Sequence, residues 1–121
     1  MRTYGQVLLH VAESQFATCS SLKGTANPRE GKSLERELTA KADVMKALSE
    51  SFGVCDEVFA TLTDATAAEF TKVGQGEVVR VAVMTGLLAH DSEMYGIATV
   101  YLRAKNLIPP STKRQASSKP R

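Results

Sequence analysis

The sequence predicts an all-α protein, a bundle built from three long helices in one domain. Apolar residues recur at intervals of three and four in three long segments, whereas the alternation typical of strands is weak throughout. A chain of 121 residues suits a single domain. Hydrophobic residues make up 43% and charged residues 23%, which is ordinary for a globular protein with a packed core.

The first helix is expected from about Thr3 to Ser21. Thr3 is a suitable N-cap, and Gly24 is a suitable stop because glycine readily adopts the left-handed conformation that ends helices. Gln15 and Thr18 interrupt its apolar stripe. The members of that stripe are Tyr4, Val7, Leu8, Val11, Cys19 and Leu22.

A charged connection, residues 23–38, precedes the second helix. We expect this helix to start after an N-cap at Thr39 and to end near Leu62. Its apolar residues are spaced 3, 4, 3, 4 and 3 apart, which is typical of a seam that packs against another helix. The seam consists of Met45, Leu48, Phe52, Cys55, Phe59 and Leu62.

The third helix should begin near Glu77, after a glycine-containing connection over residues 63–76, and end near Asn106 before two prolines. It carries apolar residues on two sides, which predicts burial between neighbours. One stripe contains Val83, Leu87, His90, Met94, Ile97 and Tyr101. The other contains Val81, Met84, Leu88, Tyr95 and Leu102. The β-branched run VVRVAV near the start leaves a strand open as an alternative.

The stretch HDSEMYG places His90 and Met94 on one apolar seam of this helix. A buried imidazole needs a hydrogen-bond partner or a metal, since leaving it unpaired costs about 1–3 kcal/mol. From pattern alone, a core histidine bonded to a hydroxyl or carbonyl group is the simpler interpretation, and metal binding or catalysis is the alternative. Taken alone, His10 is expected to be a solvated histidine at the edge of the first stripe, and Asp91 and Glu93 are expected to be surface charges.

The charge pattern separates a body from a tail. The net charge is +2, but the last eleven residues hold four basic residues and no acidic one, which leaves 11 basic against 13 acidic residues in the body. We therefore expect a domain at residues 1–110 and a disordered basic tail at residues 111–121. No basic face for nucleic acid is visible in the body.

The chain also contains no membrane-spanning run and no clear signal peptide, so a cytoplasmic location is expected. The two cysteines, Cys19 and Cys55, lack CxxC spacing. In a reducing compartment they should be small buried hydrophobic residues without a disulfide.

Three segments resemble the DinB-like superfamily, which includes the YfiT-type metal-dependent hydrolases. They are RTYGQVLLHVAESQF, KADVMKALSESFGVCDEVFATLTD and AHDSEMYGIATVYLRAKNLIPPS. The resemblance covers roughly residues 2 to 112 and rests on the order and spacing of the segments. It implies a four-helix bundle with a divalent metal, zinc or nickel, held by three histidines at one end.

Carried over by position, the resemblance implies His10 and His90 as two ligands, with Met94 in the third position. A thioether is a poor ligand for zinc or nickel, so the resemblance predicts a weak or absent site. Glu13, Asp91 or Glu93 could supply a carboxylate instead. Catalytic residues cannot be assigned from the sequence.

The resembled family carries a further helix before the segment that begins RTYGQ. Three helices leave one apolar groove of a four-helix bundle open, and we expect a partner to fill it, most simply through a homodimer. Two functions follow as hypotheses. The first is a metal-binding protein of hydrolase or thiol-transferase ancestry, and the second is a non-enzymatic oligomeric scaffold that has lost the metal.

Overall fold

The computed structural model describes residues 1–118, which form six helices and one two-stranded hairpin. In chain order these are α1 (Tyr4–Lys23), α2 (Leu34–Glu37), α3 (Lys41–Ala60), α4 (Asp64–Ala67), β1 (Phe70–Val73), β2 (Gly76–Val79), α5 (Arg80–Ala104) and α6 (Pro110–Ser118). The prediction of a mostly helical protein with three long helices is confirmed.

Both ends of α1 are set by local sequence. The Thr3 hydroxyl accepts the Gln6 backbone N–H at 3.3 Å, and the Gln6 side chain accepts the Thr3 N–H at 2.9 Å, which forms a capping box. Gly24 ends the helix at φ 75°, where residues with a Cβ are strained. The predicted cap and stop are therefore confirmed.

Helix α1 lies at the centre and packs against both α3 and α5. Three groups of buried side chains form the core. One, between α1, α2 and α3, contains Leu9, Ala12, Phe16, Leu34, Val44 and Ala47. The second, between α1, α3 and α5, contains Cys19, Leu22, Cys55, Val58, Met84 and Leu87. The third, between α1 and α5, contains Val7, Val11, Met94 and Ala98.

The expectation of unpaired cysteines is wrong. Cys19 on α1 and Cys55 on α3 form a disulfide with Cα atoms 5.1 Å apart. Packing of α1 on α3 brings both residues into one buried group, and the Cα separation lies in the range that a disulfide spans. The bond joins the two helices covalently across 36 residues of sequence.

A β-hairpin occupies much of the second connection, where no regular structure was expected. β1 and β2 pair antiparallel, with Phe70 opposite Val79 and Val73 opposite Gly76. Gly74 supplies the positive φ of 60° that the tight turn requires. The β-branched alternative therefore holds for the first two valines of VVRVAV, and α5 begins at Arg80, three residues after the predicted start.

Helix α5 is buried on one face only, which contradicts the expectation of all-round burial. Met84, Leu87, Met94 and Ala98 face the core. Val81, Leu88 and Tyr95 of the second stripe are 44%, 53% and 42% exposed. The reason is that α1 covers one side of α5 and the described residues place no further long helix against the other side.

The beginning of the expected tail is ordered. Residues 110–118 form α6, and the Tyr95 hydroxyl contacts the Ser111 hydroxyl and accepts its backbone N–H, both at 3.0 Å. Residues 119–121 of the expected disordered tail lie outside the described part of the chain. Among the described residues, no helix combines the length and apolar character needed to cross a membrane.

Candidate metal centre

The two histidines of the chain lie side by side. His10 projects from α1 and His90 from α5, and their ring centroids are 5.1 Å apart at an angle of 57°. Packing of Val7 and Val11 on α1 against Ala98 on α5 holds the two helices together at this point. The structure thus brings together the two histidines that the sequence singled out.

Glu35 reaches this pair from α2. Leu34 is 1% exposed and packs against Leu9 and Phe16, which fixes the short helix against α1. The next residue, Glu35, then faces α1, and its Oε1 lies 2.7 Å from His10 Nδ1. His10 is therefore half-buried and paired, and the expectation of a solvated histidine is wrong.

Glu13 completes a group of three possible ligands. It lies on α1, three residues after His10, and its Oε1 accepts the backbone N–H of Glu35 at 3.3 Å. One donor atom from each of His10, Glu13 and Glu35 lies within 4.8 Å of the others. Ligand atoms around a tetrahedral zinc ion are roughly 3.4 Å apart when the bonds are about 2.1 Å long. Modest side-chain rotations of these half-buried residues would bring the donor atoms from within 4.8 Å to the separation that a zinc ion requires.

Arg2 is the cation that this group contacts in the structure. Its Nε lies 2.7 Å from Glu35 Oε2, while its backbone carbonyl accepts a hydrogen bond from the Tyr101 hydroxyl. Burial alone would raise the pKa of the Glu35 carboxyl, but hydrogen bonds from Arg2 and His10 outweigh it and hold the pKa below its usual value of 4.5. The same hydrogen bond and charge raise the pKa of Arg2.

The short contact to Glu35 assigns the proton on His10. A carboxylate at 2.7 Å from Nδ1 requires an N–H at that atom, so in the neutral ring Nε2 carries the lone pair. Nδ1 is then itself a donor. Arg2 Nη2, which lies 3.3 Å from Nδ1, therefore cannot donate a hydrogen bond to it. In this arrangement Glu35 acts on His10 as a hydrogen-bond acceptor, and the short contact fixes the orientation of the ring.

His90 has a carboxylate beside it as well. His90 Nδ1 and Asp91 Oδ1 are 3.6 Å apart, and both atoms are buried without a hydrogen-bond partner among the described residues. A small shift would pair them, and Nε2 of His90 would then be free as it is in His10. Asp91 is accordingly half-buried and not the surface charge that the sequence predicted.

A buried polar chain holds Asp91. Its Oδ2 accepts the Gln15 side-chain N–H at 2.8 Å, and Gln15 Oε1 accepts the Ser51 hydroxyl at 2.8 Å. Gln15 is 2% exposed and Ser51 is fully buried. These hydrogen bonds link α3 through α1 to α5. Gln15, which interrupts the first apolar stripe, thus has a hydrogen-bond partner on each side.

Met94 lies in different surroundings. It is buried with Val7, Val11 and Ala98, next to Leu48 and Tyr101, so its neighbours are largely aliphatic. Packing accounts for a methionine at this position. The further possible ligands that the structure places beside His10 are the carboxylates of Glu13 and Glu35, and Glu35 has no place among the residues that the sequence singles out.

Of these residues, Glu35 has the weakest sequence signal. It lies in the charged connection, residues 23–38, where a glutamate is ordinarily expected to be exposed to solvent. Glu13 had a visible signal in its three-residue spacing from His10 on the same helix. Comparison with known proteins finds no matching family model, and no curated protein or solved structure with significant similarity to this chain.

Proposed function

We propose that this protein binds a divalent metal ion through His10, Glu13 and Glu35, with His90 as a further ligand. The observation that carries the proposal is the convergence of three possible ligands, one imidazole and two carboxylates, within 4.8 Å beside a second imidazole. Met94 is left out of this donor set because its surroundings are aliphatic.

The chemistry of the donors supports zinc or nickel. Imidazole suits both ions, and two histidines with a carboxylate form a known set of protein ligands for catalytic zinc. The unpartnered Nδ1 of His90 and Oδ1 of Asp91 fit the same proposal, since a metal on Nε2 strengthens an Nδ1–H bond to a carboxylate.

The resemblance to DinB-like proteins suggests a class of reaction. A bound zinc or nickel ion would supply Lewis acidity, which activates water for hydrolysis or a thiol for transfer. Beside it, Asp91 would orient His90, and a metal held by both His10 and Glu35 would replace the proton that now lies between them. We therefore propose a metal-dependent hydrolase or thiol transferase as the catalytic class.

Titration calorimetry of the untagged protein with Zn²⁺ and with Ni²⁺ tests the binding. We expect one site per chain, loss of binding in His10→Ala and weaker binding in His90→Ala and Glu13→Gln. Met94→Leu is the matched control, because it keeps the side-chain volume and should leave the affinity unchanged. Absence of binding by the wild type, or loss in Met94→Leu equal to that in His10→Ala, would overturn the proposed donor set.

A non-enzymatic scaffold is the second candidate. The observation that favours it is the group of large exposed apolar side chains on α3 and α5, among them Met45, Phe52 and Leu88. Exposed apolar surface of this kind commonly marks an interface. A protein without metal affinity that still associates through this surface would fit the second candidate and not the first.

A further inference from the structure

The outer face of α5 is a continuous uncharged heptad stripe. Its seven residues are spaced alternately four and three apart, which is the period of a helix–helix seam. They are Val81, Thr85, Leu88, Ser92, Tyr95, Thr99 and Leu102. Leu88 at the centre is 53% exposed although it is a large apolar side chain. An exposed helix face normally carries charges, and this one carries none over six turns.

The polar members of the stripe do not need water. Thr85 donates to the Val81 carbonyl at 2.8 Å, Ser92 to the Leu88 carbonyl at 2.8 Å and Thr99 to the Gly96 carbonyl at 2.7 Å. Each hydroxyl proton is satisfied within the helix. Covering these residues with another helix would therefore leave no donor unpaired.

A second stripe lies across a groove from the first. On α3, the apolar residues Met45, Phe52 and Phe59 are spaced seven apart. Phe52 and Tyr95 line the same cavity of about 240 Å³ between α1, α3 and α5. A neighbouring cavity of about 230 Å³ is lined by Phe52, Phe59 and Leu88. The two stripes and the groove form one surface, the α3–α5 face.

We propose that the α3–α5 face packs against the same face of a second copy of this chain. Five large side chains of this face are between 42% and 57% exposed, and Phe59 and Leu102 are less exposed. Together they offer on the order of 400–600 Å² per copy if a full side chain presents about 150–200 Å². The total of roughly 800–1,200 Å² extends up to the lower limit of the range of stable interfaces. The proposal does not depend on the metal site.

Charge complementarity favours a second copy as the partner. Two antiparallel copies of α3 centred between Leu48 and Ser49 bring Met45 opposite the partner's Phe52. The same register brings Lys41 opposite the partner's Asp56. Lys41 and Asp56 are both exposed and lie on the side of α3 that carries Met45. In a symmetric dimer, Lys41 of each copy would therefore pair with Asp56 of the other.

Sedimentation equilibrium of the full chain over a concentration series tests the proposal. The wild type should sediment at twice the chain mass of 13.0 kDa, and Leu88→Glu should sediment as a monomer. Val100→Glu is the matched control because Val100 is 65% exposed on the same helix but lies about 120° around it. Ser92→Glu repeats the test at an exposed polar position, where loss of folding is not expected.

Charge exchange tests the register. Lys41→Asp should weaken the dimer at least several-fold, and the double variant Lys41→Asp with Asp56→Lys should restore it. The difference in dimer affinity between the single and the double variant should be smaller at high salt. Circular dichroism reports the helix content of every variant. A monomeric wild type, a Leu88→Glu dimer or equal dissociation by Val100→Glu would overturn the proposal. Zn²⁺ titration of Leu88→Glu separates this result from the metal site, since metal affinity should be unchanged.

Discussion

The disulfide between Cys19 and Cys55 should provide a large part of the stability of this small domain. It closes a loop across a sequence separation of 36 residues. In the chain-entropy description, a cross-link of that span removes about 13 cal/mol/K from the unfolded state, or about 4 kcal/mol at 25 °C. Domains of this size are commonly stable by only about 5–15 kcal/mol, so reduction should remove a major fraction.

Urea unfolding followed by circular dichroism, with and without reductant, measures the difference. We expect the free energy of unfolding to fall by about 2–4 kcal/mol on reduction, and the variant with both Cys19→Ala and Cys55→Ala to lose a similar amount and to become insensitive to reductant. Thiol titration of the denatured, unreduced protein should find no free cysteine. Two free thiols, or a change below about 1 kcal/mol with an intact bond, would refute the reasoning.

Further predictions concern the polar groups around His10 and His90. Because Glu35 has a lowered pKa in the fold, its stabilising effect is present above its unfolded pKa near 4.5 and is lost as the pH falls through the folded pKa. Melting curves should show a steeper loss of stability in acid for the wild type than for Glu35→Gln, and parallel curves would contradict the pairing. Arg2→Gln removes the cation on Glu35, so calorimetry should show Zn²⁺ binding at least several-fold tighter; weaker binding would mean that Arg2 positions the ligand. Gln15→Leu leaves Asp91 without its donor and should cost about 1–3 kcal/mol in urea unfolding, whereas the exposed control Thr85→Ala should change it by about 0.5 kcal/mol or less.

Local signals made α1 predictable. Thr3 and Gly24 act through contacts within a few residues, so the sequence contains the whole cause of both helix ends. The convergence of His10 and His90 was also accessible, although through resemblance and not through periodicity alone. Both lie on helices that pack directly against each other.

The remaining features depend on packing between distant segments. Glu35 joins the centre because Leu34 anchors α2 in the core, and no local pattern distinguishes this glutamate from its neighbour Glu37. The sequence predicts unpaired cysteines only for a reducing compartment, whereas the packing of α1 on α3, which no local pattern shows, decides how far apart they lie. The hairpin has no clear sequence signal because four-residue strands carry little periodicity.

The disulfide between α1 and α3 makes these two helices harder to separate than α1 and α5. These two helices remain joined when their packing opens, whereas α5 depends on its noncovalent contacts with α1 and on the chain that precedes it. In native-state hydrogen exchange, the amides of α5 should therefore exchange through a lower-energy opening than those in the centre of α1. Since His10 and His90 lie on opposite sides of that opening, a metal bridging them would slow exchange along α5 more than along α3.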